Sequence, residues 1–331
     1  MKFLIQAISF NKKGIKGDVT LSTGSSLEEE SNHYTLVIGN NGCGKTSMIN
    51  AIANYYSPSQ KKYFPFTEIV SNGKPDRVIV TTNGIGDTFP NDLSSKEGYN
   101  NLNYYYLGTR YYGNYSKKYL LERAALLFLE SKKNLPRLKV NRSICDFIGY
   151  DSNIQLKYSF NLGKDFRKTK KGIQQYIDSL IDKEIDDNLI NEISKILPNL
   201  NVNDIRLYVD FATGNIDVSG PIRDLDIIRS LKDSKIIQLK QTYISKQTHQ
   251  NLLNFDNVSS GEANLLTSLL ALNSIITNNS LVLIDEPEIS LHPDWQVKYM
   301  SKIQSIVELC YGCHVIIASH SHFLVSDLNP K

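Results

Sequence analysis

The sequence has few cysteines, no long hydrophobic run and no targeting pattern. Four cysteines in 331 residues are too few for the disulfide framework of a small secreted domain. No stretch approaches the roughly 18 consecutive apolar residues of a membrane-spanning helix. Residues 1–6 lead directly into strand-like alternation without a signal-peptide pattern. We therefore expect a cytoplasmic protein that does not engage a membrane.

Internal repeats, low-complexity tracts and sustained heptads are also missing from the sequence, which excludes a solenoid and a long coiled coil. Hydrophobic residues make up 41% and charged residues 21% of the chain, as in an ordinary globular protein with one large domain or two smaller ones. Cys310 and Cys313 have C-x-x-C spacing without a second pair to complete a zinc site. Packing at a helix end is the simplest interpretation of this pair, and a redox or metal role is the alternative.

Charge is unevenly distributed along the chain. The formal net charge is +3, yet residues 111–175 carry 14 Lys or Arg against five Asp or Glu. Basic side chains neutralise nucleic-acid phosphates and release their counterions, which makes this segment a candidate contact for nucleic acid or an acidic partner. The other interpretation is a solvated surface that is balanced by the acidic residues between 178 and 187. Both interpretations stay open.

A glycine-rich loop follows the apolar run 34–38. Residues 39–46 fit the pattern G-x-x-x-x-G-K-[ST] and lead into a helix-like stretch at 47–53. Glycines let backbone N–H groups close around phosphates. Lys45 adds positive charge for the β- and γ-phosphates, and Thr46 supplies a hydroxyl to Mg²⁺. The predicted nucleotide-binding residues of this loop are Asn40, Asn41, Gly42, Cys43, Gly44, Lys45, Thr46 and Ser47.

Two apolar runs in the last third of the chain lead to residues that suit nucleotide hydrolysis. The run 280–284 is followed by Asp285 and Glu286, and the run 314–318 ends two residues before His320. Runs that are apolar at every position are typical of strands in a parallel sheet covered by helices, where ligands bind beyond the carboxyl ends of the strands. We expect Asp285 to hold Mg²⁺, Glu286 to polarise the attacking water, and His320 to stabilise charge on the γ-phosphate.

A further candidate anion site stands at the start of the apolar helix pattern 263–272. Hydroxyls, backbone N–H groups and the helix dipole would together attract a phosphate there. An ordinary helix N-cap is the alternative interpretation. The residues predicted to contact nucleotide at this site are Ser259, Ser260, Gly261 and Glu262.

The order of these motifs resembles that of the ABC-type ATPases. Residues 285–293, Asp-Glu-Pro-Glu-Ile-Ser-Leu-His-Pro, and residues 318–324 are similar to the soluble branch of that family. This branch includes RecF-like and SMC-like proteins, the ATPase half of overcoming-lysogenization-defect (OLD) nucleases, and the PtuA-type ATPases of Septu and retron anti-phage systems. The resemblance covers about residues 1–60 and 250–331. It implies an α/β fold, a P-loop NTPase of the ABC type whose mixed sheet is covered by helices.

The resemblance also implies roles for the motifs. It makes residues 39–47 the Walker A loop, 258–262 the signature, 281–286 the Walker B strand, 290–293 a loop that crosses between subunits, and His320 the switch histidine. Lys45 and Glu286 become catalytic residues together with that histidine. Two heads would sandwich two ATP molecules in a homodimer or higher homo-oligomer, each signature closing on the nucleotide of the other head. No glutamine loop can be assigned.

The function that the resemblance implies is a Mg²⁺-dependent ATP-binding and hydrolysing switch. It would regulate a partner nuclease, another effector or the engagement of nucleic acid, in anti-phage defence. The alternative is a DNA-repair or SMC/RecF-like clamp ATPase. In this interpretation the ATPase comprises residues 1–110 and 241–331, and a mostly helical lobe, basic in its first half, is inserted at 111–240.

Overall fold

The computed structural model describes residues 3–12, 15–22, 31–57, 66–84, 87–90, 103–109, 116–131, 133–163, 166–167, 169–181, 185–199 and 204–325. The chain divides into two compact units. The first unit comprises Met1–Ile148 and Val258–Lys331, and the second comprises Gly149–Asn257. The second unit is therefore an insertion in the chain of the first.

The strands and helices are numbered in chain order. The strands are β1 (Leu4–Lys12), β2 (Ile15–Thr20), β3 (His33–Ile38), β4 (Phe66–Asn72), β5 (Arg77–Thr82), β6 (Tyr104–Tyr106), β7 (Tyr150–Phe160), β8 (Asp204–Asp210), β9 (Ile216–Ser219), β10 (Ile237–Lys246), β11 (His249–Asn254), β12 (Ser280–Asp285) and β13 (His314–Ser319). The helices are α1 (Lys45–Tyr56), α2 (Lys117–Glu130), α3 (Leu135–Ile148), α4 (Lys170–Ile181), α5 (Asp187–Ile196), α6 (Leu225–Asp233), α7 (Ser260–Ile275) and α8 (Pro293–Val307). Short 3-10 helices span Leu197–Asn199, Phe255–Asn257 and His322–Val325. No helix in the described ranges has both the length and the apolar character that crossing a bilayer requires.

The first unit contains a five-stranded parallel sheet with the strand order β3-β13-β12-β5-β6. Strands β12 and β13 are buried at every position, as expected of strands covered on both faces. Asp285 lies beside Thr82 of β5 and Ala318 of β13, and Ser319 lies beside Ile38 of β3. The predicted parallel sheet is confirmed, and the carboxyl ends of four of its strands meet at one edge.

Helix α1 is packed between this sheet and a three-stranded antiparallel sheet with the order β2-β1-β4. Met48, Ile49 and Ile52 of α1 are buried in one hydrophobic cluster with Ile5 of β1 and Leu283 of β12. Burying an aliphatic side chain of this size stabilises a fold by about 1.5–3 kcal/mol. The glycine-rich loop therefore leads into a helix that is packed against both sheets.

Helices α2 and α3 belong to the first unit because they pack against α7, a helix that is buried along most of its length. The Arg137 guanidinium of α3 donates to the carbonyl oxygens of Asn273 and Ile276 at the carboxyl end of α7. Carbonyls at that end of a helix lack intrahelical donors and attract cations. The inserted unit consequently spans 149–257, whereas the sequence predicted a lobe at 111–240.

The second unit is built on a five-stranded antiparallel sheet with the order β11-β10-β7-β8-β9. Leu156 and Leu207 are paired and buried on adjacent strands of this sheet. A turn at 213–215 joins β8 to β9 in a hairpin, and Gly214 has a φ of 79°, as a tight turn requires. Helices α4, α5 and α6 complete the unit, which is richer in strand than the mostly helical lobe predicted from the sequence.

Candidate active site at the carboxyl edge of the parallel sheet

The glycine-rich loop has the backbone geometry of an anion cradle. Gly44 is the N-cap of α1, with a φ of 98° that favours glycine, and no side chain caps the helix there. The first-turn N–H groups of an uncapped helix are a ready site for phosphate. Asn40, Asn41, Gly42 and Cys43 are exposed at the loop surface. The structure thus leaves this loop open to an anionic ligand.

The Lys45 side chain forms hydrogen bonds with main-chain carbonyls of the glycine-rich loop. Its side chain is buried, and its Nζ atom donates to the carbonyl oxygens of Gly39 at 2.7 Å and Asn40 at 3.1 Å. These carbonyls partly replace the hydration that the ammonium loses on burial. The positive charge of Lys45 therefore lies within the loop that would surround a phosphate.

Thr46 and Asp285 meet at the centre of the site, although 239 positions separate them in the sequence. The Thr46 Oγ1 atom donates to Asp285 Oδ1 at 3.0 Å. Burial raises the pKa of the Asp285 carboxyl to about 7, against the lowering effect of the Thr46 hydrogen bond. Three nearby carboxylates, from Glu286, Glu288 and Asp87, raise this pKa further. The electrostatics of the site thus favour a proton or a cation at Asp285.

The donor set fits a magnesium ion that is shared with a ligand. A hydroxyl and a carboxylate are the oxygen donors that Mg²⁺ takes from proteins, usually together with phosphate oxygens and water. Among the described residues, no group of three or more His, Cys, Asp or Glu side chains forms a metal site. A cation held by Thr46 and Asp285 would therefore need additional ligands from a bound phosphate or from water.

Glu286 lies at a sharp bend directly after β12. Its φ is 47°, in the left-handed region that non-glycine residues rarely adopt. Its backbone N–H donates to the carbonyl oxygen of Ala318 at 2.9 Å, which aligns the bend with the end of β13. Glu286 is half-buried whereas Asp285 is 3% exposed, so two adjacent acids stand in different surroundings. Strained backbone of this kind concentrates at functional sites.

Glu288 is a site residue to which the sequence assigned no role. Its carboxylate is buried, and its Oε1 atom accepts hydrogen bonds at 2.7 Å from both Ser319 Oγ and the His320 backbone N–H. The His320 Nδ1 atom lies 2.9 Å from the same oxygen. Glu288 therefore ties the segment after β12 to the end of β13. The position of Glu288 in the Asp-Glu-Pro-Glu motif is the one feature of the sequence that could have identified it as a site residue. The motif does not indicate that this acid is buried.

Two further residues of the site come from the connection that follows β5. Asn83 Nδ2 donates to the carbonyl oxygen of Pro287 at 2.8 Å, and Asp87 Oδ2 accepts a hydrogen bond from the Tyr106 hydroxyl at 2.6 Å. Asn83 supports the bend after β12, and Asp87 adds negative charge near Asp285. No sequence pattern predicts either residue. The partner of Asn83 lies 204 positions away in the chain, and the partner of Asp87 lies outside any motif.

The segment 259–262 forms a capping box at the start of α7. Ser259 Oγ accepts from the Glu262 N–H, and Glu262 Oε2 accepts from the Ser259 N–H, each at 3.2 Å. The N-cap interpretation is thus confirmed, while nucleotide contact by Ser259, Ser260, Gly261 and Glu262 stays a prediction. Ser259 and Ser260 are exposed.

Gly261 makes a close backbone contact with the loop that follows Walker B. A Cβ atom at Gly261 would lie 2.0 Å from the carbonyl oxygen of Ser290. Ser290 has a φ of 65°, and His292 caps the N-terminus of α8 with Pro293 in its first turn. The start of α7 and the predicted intersubunit loop therefore lie against each other within one chain.

The C-x-x-C pair is buried among main-chain acceptors. Cys310 and Cys313 are free and buried, and their thiols lie near the carbonyl oxygens of Ile276 at 3.7 Å and Thr277 at 3.3 Å respectively. The hydrogen bond with Cys313 and the nearby Arg137 guanidinium lower the pKa of Cys310 to about 7. This packing agrees with the structural interpretation of the pair.

The basic segment 111–175 is divided between the two units. Arg123 is 8% exposed, and the Lys117 ammonium donates to a main-chain carbonyl of the first unit. Lys157 Nζ lies 2.9 Å from a carboxylate oxygen of Asp204 in the second unit. Part of the positive charge therefore serves contacts within each unit. A nucleic-acid contact through this segment stays a prediction.

Comparison with known proteins gives one family and two individual similarities. The family model described as "AAA domain, putative AbiEii toxin, Type IV TA system" matches residues 35–326. Protein ea59 of Escherichia phage lambda is 26% identical over 341 aligned residues, which cover 98% of this chain and 52% of ea59. The chain spans about half the length of this curated relative.

A solved structure described as "Crystal structure of the SmcHead bound to the C-winged helix domain of ScpA" aligns with a TM-score of 0.32 and 10% identity. The alignment covers 98% of this chain and 91% of the other.

Proposed function

The chain belongs to this family of AAA domains, and from that premise we propose that it binds ATP with Mg²⁺ and hydrolyses it at the carboxyl edge of the parallel sheet. The observation that carries the proposal is the 3.0 Å hydrogen bond from Thr46 Oγ1 to Asp285 Oδ1. It joins the exposed glycine loop to the acidic end of β12. A hydroxyl, a carboxylate and a phosphate cradle at one place suit a metal-bound triphosphate.

Each residue of the site has a distinct part in the proposed reaction. Lys45 and the loop N–H groups bind the β- and γ-phosphates, and Thr46 and Asp285 would hold a metal ion, which would neutralise phosphate charge. Glu286 accepts a proton from the attacking water. The water oxygen bonds to the γ-phosphorus as the bond from that phosphorus to the bridging oxygen of ADP breaks, and ADP and phosphate leave. His320 stands at the end of the neighbouring strand, where it can stabilise charge on the γ-phosphate.

Substitution of Glu286 tests this proposal directly. We expect E286Q to retain ATP binding and to lower kcat by about 10²–10⁴, the effect of losing a general base. K45A should instead weaken nucleotide binding, because it removes the buried positive charge of the loop. ATP binding by fluorescence titration and phosphate release under saturating ATP separate the two effects.

The matched control is E308Q at an exposed glutamate at the end of α8. It makes the same chemical change away from the site and should hydrolyse ATP at the wild-type rate. Hydrolysis by E286Q at that same rate would reject the assignment of the general base. Failure of the wild-type protein to bind any nucleoside triphosphate would reject the site itself.

We also propose that two copies dimerise head to tail around ATP. The support is the sequence resemblance, together with the exposure of Ser259 and Ser260 at the N-terminus of α7. One glycine loop covers one side of a triphosphate, so a second copy that presents its α7 N-terminus would complete the enclosure. ATP then becomes part of the dimer interface and stabilises it.

The output that we propose for this switch is control of a nuclease or another effector in anti-phage defence. It is supported by the similarity of residues 285–293 and 318–324 to Septu- and retron-type ATPases, and by a family description that includes a toxin. A DNA-repair or RecF-like clamp is the alternative. Basic side chains that are used within a unit, such as Arg123 and Lys157, give the clamp less support.

A further inference from the structure

We propose that Glu288 is a positioning residue that sets the tautomer and the orientation of His320. The inference rests on the proposed ATPase function, and it concerns how that site is prepared before nucleotide binds. Glu288 itself is buried and need not touch the substrate.

Three polar atoms surround one oxygen of Glu288. Its Oε1 atom accepts from Ser319 Oγ and from the His320 N–H, and His320 Nδ1 lies 2.9 Å away. Both the main chain and the side chain of His320 are thus directed toward the same carboxylate. Because the backbone N–H and the ring of His320 meet the same oxygen, rotation of the ring about the Cα–Cβ bond would break the ring contact.

The chemistry of these groups determines which ring nitrogen carries the proton. An ionised carboxylate accepts hydrogen bonds and donates none. With Glu288 ionised, a hydrogen bond across the 2.9 Å between Glu288 Oε1 and His320 Nδ1 places a proton on Nδ1. The His320 side chain is 43% exposed although Glu288 is buried. One edge of the ring is thus fixed, and Nε2 is left for a ligand. Carboxylates that hold a functional histidine in this way act through its tautomer and ring orientation.

The backbone around Glu288 is itself constrained. Asn83 Nδ2 holds the carbonyl oxygen of Pro287, and the Glu286 N–H is bound to Ala318 of β13. Leu291 N–H donates back to the Glu288 carbonyl at 3.0 Å. The carboxylate is therefore presented to His320 from a fixed support, which is what precise placement of a functional side chain needs.

Nitrogen NMR of the histidine rings tests the tautomer without any nucleotide. The chain has six histidines, and comparison with H320A identifies the signals of His320. In the wild-type protein we expect the Nδ1–H form at the alkaline plateau of a pH titration, where each ring carries one proton. E288M, which removes the acceptor, should move the ring to the Nε2–H form that free imidazoles prefer. An Nε2–H ring in the wild-type protein would overturn the proposal, and this result does not depend on the folding of E288M.

A double-mutant cycle tests the functional consequence. We expect E288Q to lower kcat by about 10- to 100-fold with little change in KM for ATP, because the neutral amide holds the ring less firmly. In the H320A background, the same substitution should cost less than about twofold, since the group that it positions is gone. E308Q is again the control at an exposed glutamate.

Equal losses in both backgrounds, or an unchanged kcat in E288Q, would show that Glu288 does not act through His320. These outcomes differ from failure of the ATPase proposal. If E286Q hydrolysed ATP normally, the assignment of the base would fail, whereas the NMR result on His320 would stand.

Discussion

Asp285 is a residue whose burial conflicts with its charge. It is 3% exposed and lies near three other carboxylates, and burial is the largest cause that raises its pKa to about 7. An acid whose pKa is higher in the folded than in the unfolded protein binds more protons when folded. Between about pH 4 and pH 7, the free energy of unfolding therefore falls as pH rises. A bound cation would remove this penalty by pairing with the charge.

D285N tests whether the buried charge of Asp285 destabilises the protein. The experiment uses protein kept free of metal with a chelator. We expect the variant to be more stable than wild type at pH 8, by about 2–4 kcal/mol, since a tenfold change in a proton equilibrium corresponds to about 1.4 kcal/mol. At pH 5 the difference should be much smaller, because the native carboxyl is then mostly protonated. Urea unfolding at both pH values measures the effect.

The control for D285N is D233N at an exposed aspartate of α6, which should leave the pH dependence of stability unchanged. Parallel pH profiles for D285N and wild type would mean that Asp285 is not the source of the expected slope.

Helix α7 shows how one element connects two parts of the site. Its second residue, Gly261, is buried against the carbonyl oxygen of Ser290. Alanine is ordinarily more favourable than glycine within a helix, by about 0.5–1 kcal/mol. Here a Cβ atom would overlap a main-chain oxygen at 2.0 Å, so the sign of the effect should reverse.

We expect G261A to destabilise the protein by about 1–3 kcal/mol, the usual cost of overpacking. It should also slow ATP hydrolysis, because Ser290 must shift together with the bend that carries Glu286 and Glu288. Unfolding and phosphate-release measurements should change together. S274A, a small change in the same helix, should alter neither by a comparable amount. A G261A variant as stable and as active as wild type would show that Ser290 can move away from residue 261 without loss of stability or activity.

Elements with an uninterrupted apolar pattern were the ones that the sequence predicted well. The apolar runs at 280–284 and 314–318 lie in β12 and β13, each of which extends one residue beyond the predicted run. The strands β4, β10 and β11 were not anticipated. The turn at 247–248 that joins β10 to β11 lacks the Asn-Gly or Asp-Gly that marks a tight hairpin.

The residues of the site likewise fall into those that a local motif predicted and those that it did not. Lys45, Thr46 and Asp285 stand in local motifs, and the structure brings them to one edge of the sheet. Glu288 and Asn83 act through hydrogen bonds to residues 32 and 204 positions away. Such contacts depend on tertiary structure, so no local pattern encodes them. The limits of the inserted unit were missed for the same reason, since they follow from the packing of α2 and α3 on α7.

The mass of the protein in solution tests the proposed dimer. The chain has a mass of 37.5 kDa. With ATP and Mg²⁺, we expect E286Q to elute at about twice that mass, because slow hydrolysis preserves the nucleotide that links the two copies. Light scattering after size-exclusion chromatography measures this mass. K45A should remain at the mass of one copy under the same conditions. An E286Q protein that binds ATP and stays at 37.5 kDa would exclude dimerisation through nucleotide.

The interleaved strand order of the parallel sheet has a consequence for synthesis of the chain. Tyr34 of β3 pairs with Val315 of β13, and Val78 of β5 pairs with Leu281 of β12, while the inserted unit 149–257 is contiguous. A ribosome adds about 5–20 residues per second, so β3 waits roughly 15–60 s for its partner. During that interval the nascent chain exposes unpaired apolar strands, which are the regions that chaperones protect from aggregation. The insertion can close its own sheet first, and the nucleotide site is completed only when the last strand emerges.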